Sequence, residues 1–307
     1  MQIALFGGTG FVGNYIVDAL VQAAHKPSLL VRASSLHKLR HADNCRITRG
    51  DICSEEAIVT TLRDCDAVIY NIGILKEVPS RGITFEELQF HGVARVVDAA
   101  KRLGISRFLL MSANGVKQPG TPYQETKYRA EVLVADSGLQ HTIFRPSVIF
   151  GDSHGLQEIS SQLYSDLVKP PLPAVGFHTG WIPKGNGVVL SPVHISDVAD
   201  AFVAALTNDD TIGKTYVLGG PEVLTWTEMI ERIAAAVGRK KWIMPMPIQV
   251  MKFGATLFDW LPFFPATREQ LTMLAEGNAA GPGDIELLNG RPPLPFVPEN
   301  LAYLQQI

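Results

Sequence analysis

The sequence predicts an α/β protein: a doubly wound parallel sheet with helices on both faces and a small mixed C-terminal lobe. Three observations predict it. Short apolar runs alternate with amphipathic stretches through the first 145 residues. A glycine-rich turn joins the first run to the first amphipathic stretch. The prolines are unevenly spread, three in residues 1–120 and seventeen in 121–307, so regular elements give way to a loop-rich second half.

The runs are Ile3–Phe6, Ser28–Val31, Ala67–Tyr70, Arg107–Met111 and Thr142–Phe144. They are aliphatic or β-branched and do not alternate, as suits strands buried on both faces. Residues 11–24 place Phe11, Val12, Tyr15, Ile16, Ala19, Leu20 and Ala23 on one helical face. Thr84 and Glu87 have capping-box spacing and open a helix to about residue 103. Strand–helix alternation of this kind makes a parallel sheet with right-handed crossovers. Beyond 150, Ser196 is placed to cap a helix through Ala205, and Lys214–Leu218 reads as a strand. Thr225 and Glu228 form a second box, opening a helix to about Val237. Residues 277–307 read as mostly irregular.

Composition excludes several classes. The chain has 307 residues, 46% apolar and 19% charged, which fits a packed core and not a disordered chain. Its net charge of −3 gives no basic field for nucleic acid. Three cysteines, Cys45, Cys53 and Cys65, lack CxxC spacing, and the histidines lack HxH or HxxxH spacing, so neither a disulfide framework nor a metal site is expected. No basic, apolar leader follows Met1, and a cytoplasmic location is the expectation. The most apolar stretch, residues 242–264, carries Pro245, Pro247, Pro262, Lys252 and Asp259, which break and charge a spanning helix. Gly-x-Ser-x-Gly is absent, against an α/β-hydrolase.

Gly7-Gly8-Thr9-Gly10-Phe11-Val12-Gly13 is the sharpest feature. It reads as GxxGxxG from Gly7 or as GxGxxG from Gly8, directly after a strand and opening a helix. That context needs glycine for three reasons: a tight turn, access of a pyrophosphate to main-chain N–H groups, and close helix–sheet packing. The second strand ends Leu30-Val31-Arg32-Ala33-Ser34, without the carboxylate that would bind the ribose hydroxyls of NAD. Arg32 stands 22 residues after Gly10, with Ser34 and Lys38 following. A guanidinium there suits a 2′-phosphate, so NADP(H) is expected over NAD. Asp51 and Ile52 follow the third strand, on the adenine side, and Asn71, Ile72 and Gly73 end the fourth at the cofactor side.

Thr121-Pro122-Tyr123-Gln124 carries an N-cap, a first-turn proline and a capping-box glutamine. Tyr123 and Lys127 then share one helix face at i and i+4. An ammonium there is expected to lower the phenol pKa, making Tyr123 an acid–base group, and to reach a nicotinamide ribose.

The glycine turn, this YxxxK helix, Arg145-Pro146-Ser147-Val148-Ile149-Phe150-Gly151, Pro192–Ala199, Tyr216–Pro221 and Thr267–Leu271 together resemble the short-chain dehydrogenase/reductase superfamily, in its extended, NAD-dependent epimerase/dehydratase-like form. Within it they resemble the atypical branch related to the nucleotide-binding accessory subunit of respiratory complex I. The resemblance implies a Rossmann domain over residues 1–150, rejoined by 188–220, with a small substrate lobe from 151–187 and 221–307. It also implies nicotinamide contacts at Pro146, Ser147 and Val148. A Ser or Thr after the fifth strand would orient the substrate oxygen; Ser112 and Asn114 are the candidates. Gln89 stands where the superfamily has a supporting Asn, and only eleven residues separate Ser112 from Tyr123, fewer than extended enzymes have. Two functions follow from this. One is an NADP(H)-dependent oxidoreductase or epimerase acting on a carbonyl or hydroxyl. The other is a non-catalytic NADP(H)-binding subunit serving structure, assembly or sensing.

His194 and Asp197 are expected to pack and to support a helix start, respectively. Residues 248–261 have three readings: an apolar substrate pocket, a contact with a membrane or respiratory partner, or the core of the lobe.

Overall fold

The computed structural model describes residues 1–180, 187–251, 253 and 268–307. The strands in the first half are β1 (Gln2–Phe6), β2 (Lys26–Val31), β3 (Arg46–Arg49), β4 (Ala67–Tyr70), β5 (Arg107–Met111) and β6 (Gln140–Pro146). Then follow β7 (Ile149–Phe150), β8 (Ala174–His178), β9 (Val189–Leu190), β10 (Val193–His194), β11 (Lys214–Leu218), β12 (Leu224–Thr225) and β13 (Ile243–Pro247).

Two units are distinguished. The first comprises Met1–Pro146, Ile195–Val217 and Leu287–Gly290. Its sheet runs β3-β2-β1-β4-β5-β6-β11, and the pairings among the first six strands are parallel. Chain order reverses between β1 and β4, which is the switch point of a doubly wound sheet. β4 and β5 are buried at every position, β1 and β2 at all but their first. Their continuous apolar runs therefore marked them in the sequence. The edge strand β3, Arg-Ile-Thr-Arg, is only half-buried and has no such run.

The helices of this unit are α1 (Phe11–Gln22), α2 (Glu55–Leu62), α3 (Gly92–Arg102), α4 (Pro122–Ala135) and one at Ile195–Leu206. That last helix begins before Ser196, which lies in its first turn rather than at the cap. The helix expected from residue 84 opens instead as a π-helical turn, Glu86–His91, leading into α3. The cause is Tyr70. Its hydroxyl donates to the Leu88 carbonyl at 2.5 Å and so enters the helical ladder. A Cβ on Gly92 would lie 2.2 Å from that hydroxyl, which is why residue 92 is glycine. Only half of the box forms: Glu87 N–H donates to Thr84 Oγ1, while the Glu87 carboxylate pairs with Arg95.

The second unit comprises Ser147–His194, Leu218–Glu286 and Arg291–Ile307. Its core gathers Phe150, Phe296, Trp226, Met229 and Ile233 around the helix Trp226–Ala236, which has its full capping box. β8 pairs parallel with β13, β7 with β10, and β9 antiparallel with β12. The tail is more ordered than expected, with helical stretches at Gly283–Asn289 and Pro298–Gln306. Their apolar residues, Ile285, Leu301 and Leu304, are too widely spaced to show as a periodic run, yet all are buried.

Candidate dinucleotide and acid–base site

The glycine turn sits at the switch point. Gly7 adopts φ +101°, and a Cβ there would lie 2.8 Å from the Asn71 carbonyl group, so the ends of β1 and β4 touch through it. On Gly13 a Cβ would meet the Gly7 oxygen at 2.0 Å, and on Gly8 the Leu29 side chain at 3.1 Å. These glycines serve the protein's own packing. Gly10 differs: it caps α1 in an extended conformation, and a Cβ there meets only the Gly7 oxygen at 3.5 Å. The space before Gly10 is open, and the first N–H groups of α1, at Phe11, Val12 and Gly13, lie in the turn that lacks intrahelical acceptors. Thr9, Phe11 and Val12 are half-buried at the rim. An anionic group fits this cradle by main-chain donors and helix dipole alone.

Asn14 escaped the sequence reading. It is buried, donates to the Gly10 and Lys38 carbonyls at 3.0 and 3.1 Å, and accepts from the Arg40 N–H at 3.1 Å. It therefore ties the glycine turn to the 3₁₀ segment Ala33–Lys38. The only sequence signal was a polar residue with poor helix propensity in a first turn. Arg32, Ser34 and Lys38 are exposed along that segment, and their side chains have no hydrogen bond or ion pair among the described residues. Arg40, by contrast, is bonded to Asp18 and lies over the Tyr15 ring at 4.6 Å.

The helix α4 is placed by three devices. Its capping box is complete on both sides. Arg129 forks onto Glu86 at 2.8 and 3.0 Å, and Arg145 onto Glu131. Lys127 is thereby buried beneath β5, where its Nζ donates to the Met111 carbonyl at 2.9 Å. A Cβ on Gly73 would lie 3.5 Å from the same Nζ. Burial lowers the Lys127 pKa to about 8, against a smaller upward pull from Glu131. Tyr123 packs edge-on to Phe85, ring centres 5.7 Å apart, and burial pushes its phenol up to about 12. The expected lowering by the ammonium is not present, because desolvation dominates and Lys127 is turned to Met111.

Ser112 follows β5. Its N–H donates to Phe144 O at 2.7 Å, and its buried Oγ has no hydrogen-bond partner among the described residues. It lines a narrow interior gap, too tight for a water molecule, together with Ile72, Gln89, Met111 and Lys127. Asn114, half-buried, holds Pro146 O through its N–H at 2.9 Å. Gln89 donates to Ile74 O and accepts from Thr126 Oγ1, both at 3.0 Å. Thr126, between Tyr123 and Lys127, was a second residue the sequence did not single out.

The site's glycine cradle and its neighbours fall within residues 7–164, which match the family model described as NAD(P)H-binding, just over half the chain. The chain belongs to the NAD(P)H-binding family. It is 29% identical to the Arabidopsis thaliana NADH dehydrogenase [ubiquinone] 1 alpha subcomplex subunit 9, mitochondrial, over 90% of this chain and 68% of that protein. It is 25% identical to the ceramide reductase of Caulobacter vibrioides, over 84% of this chain and 78% of that one. The Thermus thermophilus UDP-glucose 4-epimerase, solved with NAD, shares the fold at TM-score 0.65 and 19% identity, over 89% of this chain and 99% of that one. The sequence resemblance thus holds: these relatives are a complex I subunit and a reductase, and this chain has the fold of the epimerase.

Other expected residues of this NAD(P)H-binding chain are dispersed. The Asp51 carboxylate accepts the Cys53 N–H at 3.1 Å, and Ile52 lies in the core of the first unit. Asn71 and Ile72 are half-buried and Gly73 exposed. Ser147 and Val148 belong to the second unit. There Ser147 Oγ donates to Asn278 O at 2.8 Å, and Val148 O accepts from Val193 N–H. His194 packs edge-on to Phe150, and Asp197 lies in the first turn of its helix. Of residues 248–261, Ile248 is buried, Met251 packs on the lobe core and Phe253 is exposed; 254–261, like Thr267, lie outside the described residues. No helix among the described residues is long and apolar enough to cross a membrane.

Proposed function

We propose that this chain is an NADP(H)-dependent oxidoreductase acting on a carbonyl or hydroxyl of a small molecule. The observation that carries the proposal is the buried polar pair at the end of β5. The Lys127 ammonium and the Ser112 hydroxyl line one gap too tight to hold a water molecule in this conformation, and the hydroxyl has no hydrogen-bond partner among the described residues. A buried hydroxyl without a partner costs about 1–3 kcal/mol, a cost that a ligand oxygen would offset.

The Gly10 cradle would hold the pyrophosphate, and Arg32 with Ser34 and Lys38 a 2′-phosphate. A bound nicotinamide supplies or accepts the hydride. The chain's residues manage the oxygen and its proton. Lys127, cationic below about pH 8, would hold a ribose hydroxyl. Ser112 Oγ would donate to the substrate oxygen. Tyr123, neutral throughout the physiological range, would deliver the proton in reduction and take it back in oxidation. An NADP(H)-binding subunit without turnover is the second reading. It is favoured by the bond from Lys127 to Met111 O, which leaves the phenol without cationic support.

NADPH fluorescence during a screen of carbonyl compounds tests the proposal. Oxidation dependent on the chain supports it; tight binding that stays inert across the screen supports the second reading.

A further inference from the structure

The second unit carries a surface on which exposed apolar side chains and cations lie side by side. Leu172, Trp242 and Met244 are 71%, 73% and 42% exposed. Register brings them together: Ala174 pairs with Ile243 and Val175 with Met244, so Leu172 and Trp242 flank the same end of the β8–β13 pair. At that end Lys169, Arg239, Lys240 and Lys241 cluster. Arg239 donates to the Lys169 carbonyl at 3.1 Å, and Lys241 to Val168 O at 3.2 Å and to Pro170 O. Lys169 also donates to the Ile307 main-chain oxygen at 3.4 Å. Four cations are thus gathered here in a chain whose net charge is −3, and among the described residues none of them has an ion pair with an Asp or Glu side chain.

A protein strand is a poor occupant of this edge. The Ala174 N–H donates to the Trp242 carbonyl at 2.9 Å, so alternate positions 242, 244 and 246 turn their main-chain groups toward β8. Positions 243, 245 and 247 turn away, and two of those three are Pro245 and Pro247. The outward edge has lost the donors that an added strand needs. An indole beside a basic cluster suits instead an interface that is apolar beneath and anionic above.

We propose that the end of the β8–β13 pair, with Trp242 inserted and Lys240 and its neighbouring cations at headgroup level, docks the protein on an anionic lipid surface. Lys240 and Trp242 are exposed, and Lys240 has no hydrogen bond or ion pair among the described residues, so substituting either leaves the lobe's packing intact. The test is co-sedimentation of the full chain with vesicles of phosphatidylcholine alone and with about one third phosphatidylglycerol. Binding is expected only to the anionic vesicles, weakened about five-fold by Lys240→Gln, since each cation near such a surface is worth about that factor. High salt should release it. A blue shift of indole emission on binding should vanish in Trp242→Phe, while NADPH affinity stays at the wild-type value in both variants. Equal binding to both vesicles, no binding, or variants indistinguishable from wild type would overturn the proposal. So would a concentration-dependent dimer that Trp242→Ala dissolves, since the patch would then serve a second copy of the chain.

Discussion

Lys127 is a buried ammonium whose desolvation outweighs the pull of Glu131. Its folded pKa of about 8 lies below the ordinary 10.5, so between those values the unfolded chain binds the extra proton. Stability therefore rises with pH from about 8 to 10, by up to about 3 kcal/mol from this group. Above 10, Tyr123 opposes it, because its raised pKa makes the folded state hold a proton the unfolded chain loses. Urea unfolding of wild type and Lys127→Met at pH 7.5 and 9.5 checks this: the Cys45, Cys53 and Cys65 thiols, raised by burial, lower stability over this window in both proteins, so the change from pH 7.5 to 9.5 is expected to be more favourable in wild type than in the variant. Arg32 belongs to the same scale. Arg32→Ala should weaken NADPH by about 1–3 kcal/mol and leave NADH nearly unchanged, as titration with both cofactors would show. Equal losses would mean that Arg32 does not meet the 2′-phosphate. The sequence placed Tyr123 and Lys127 on one face correctly. It could not place the Lys127 partner, because Met111 O is a main-chain group sixteen residues away that no side-chain pattern encodes.

At the scale of elements, the glycine turn separates into two kinds of glycine. Gly7 and Gly13 are required by Asn71 and by the turn's own carbonyl, whereas Gly10 faces open space. Gly10→Val is therefore expected to retain the wild-type melting transition within a few degrees and lose both nucleotides. Thermal unfolding with cofactor titration checks it; retained affinity would place the phosphates elsewhere. Thr121 caps the helix that carries Tyr123 and Lys127, and Thr121→Ala should cost about 1 kcal/mol in denaturant unfolding. Capping boxes at Thr121 and Thr225 were legible because each is local, four residues long. The box at Thr84 formed only by half, since a tertiary contact from Tyr70 converts the first turn that follows it. In the same way β4 and β5 were readable from their apolar runs, while β3, half-buried at the edge, left no comparable trace.

Across the whole molecule, the nucleotide-binding half was readable, whereas in the lobe little beyond the capped helix Trp226–Ala236 was. A parallel sheet buried on both faces writes its order into apolar runs. The second unit instead draws its core from residues as distant as Phe150, Trp226, Phe296 and Leu301, joined by irregular chain. The choice between oxidoreductase and inert subunit therefore rests on chemistry at Tyr123. The most direct measurement is turnover of NADPH by wild type and Tyr123→Phe on a carbonyl compound that wild type reduces, with cofactor affinity measured alongside. The account predicts unchanged NADPH affinity and a loss of at least about 10²-fold in turnover, since only the phenolic proton is removed. Turnover by Tyr123→Phe at the wild-type rate would contradict it.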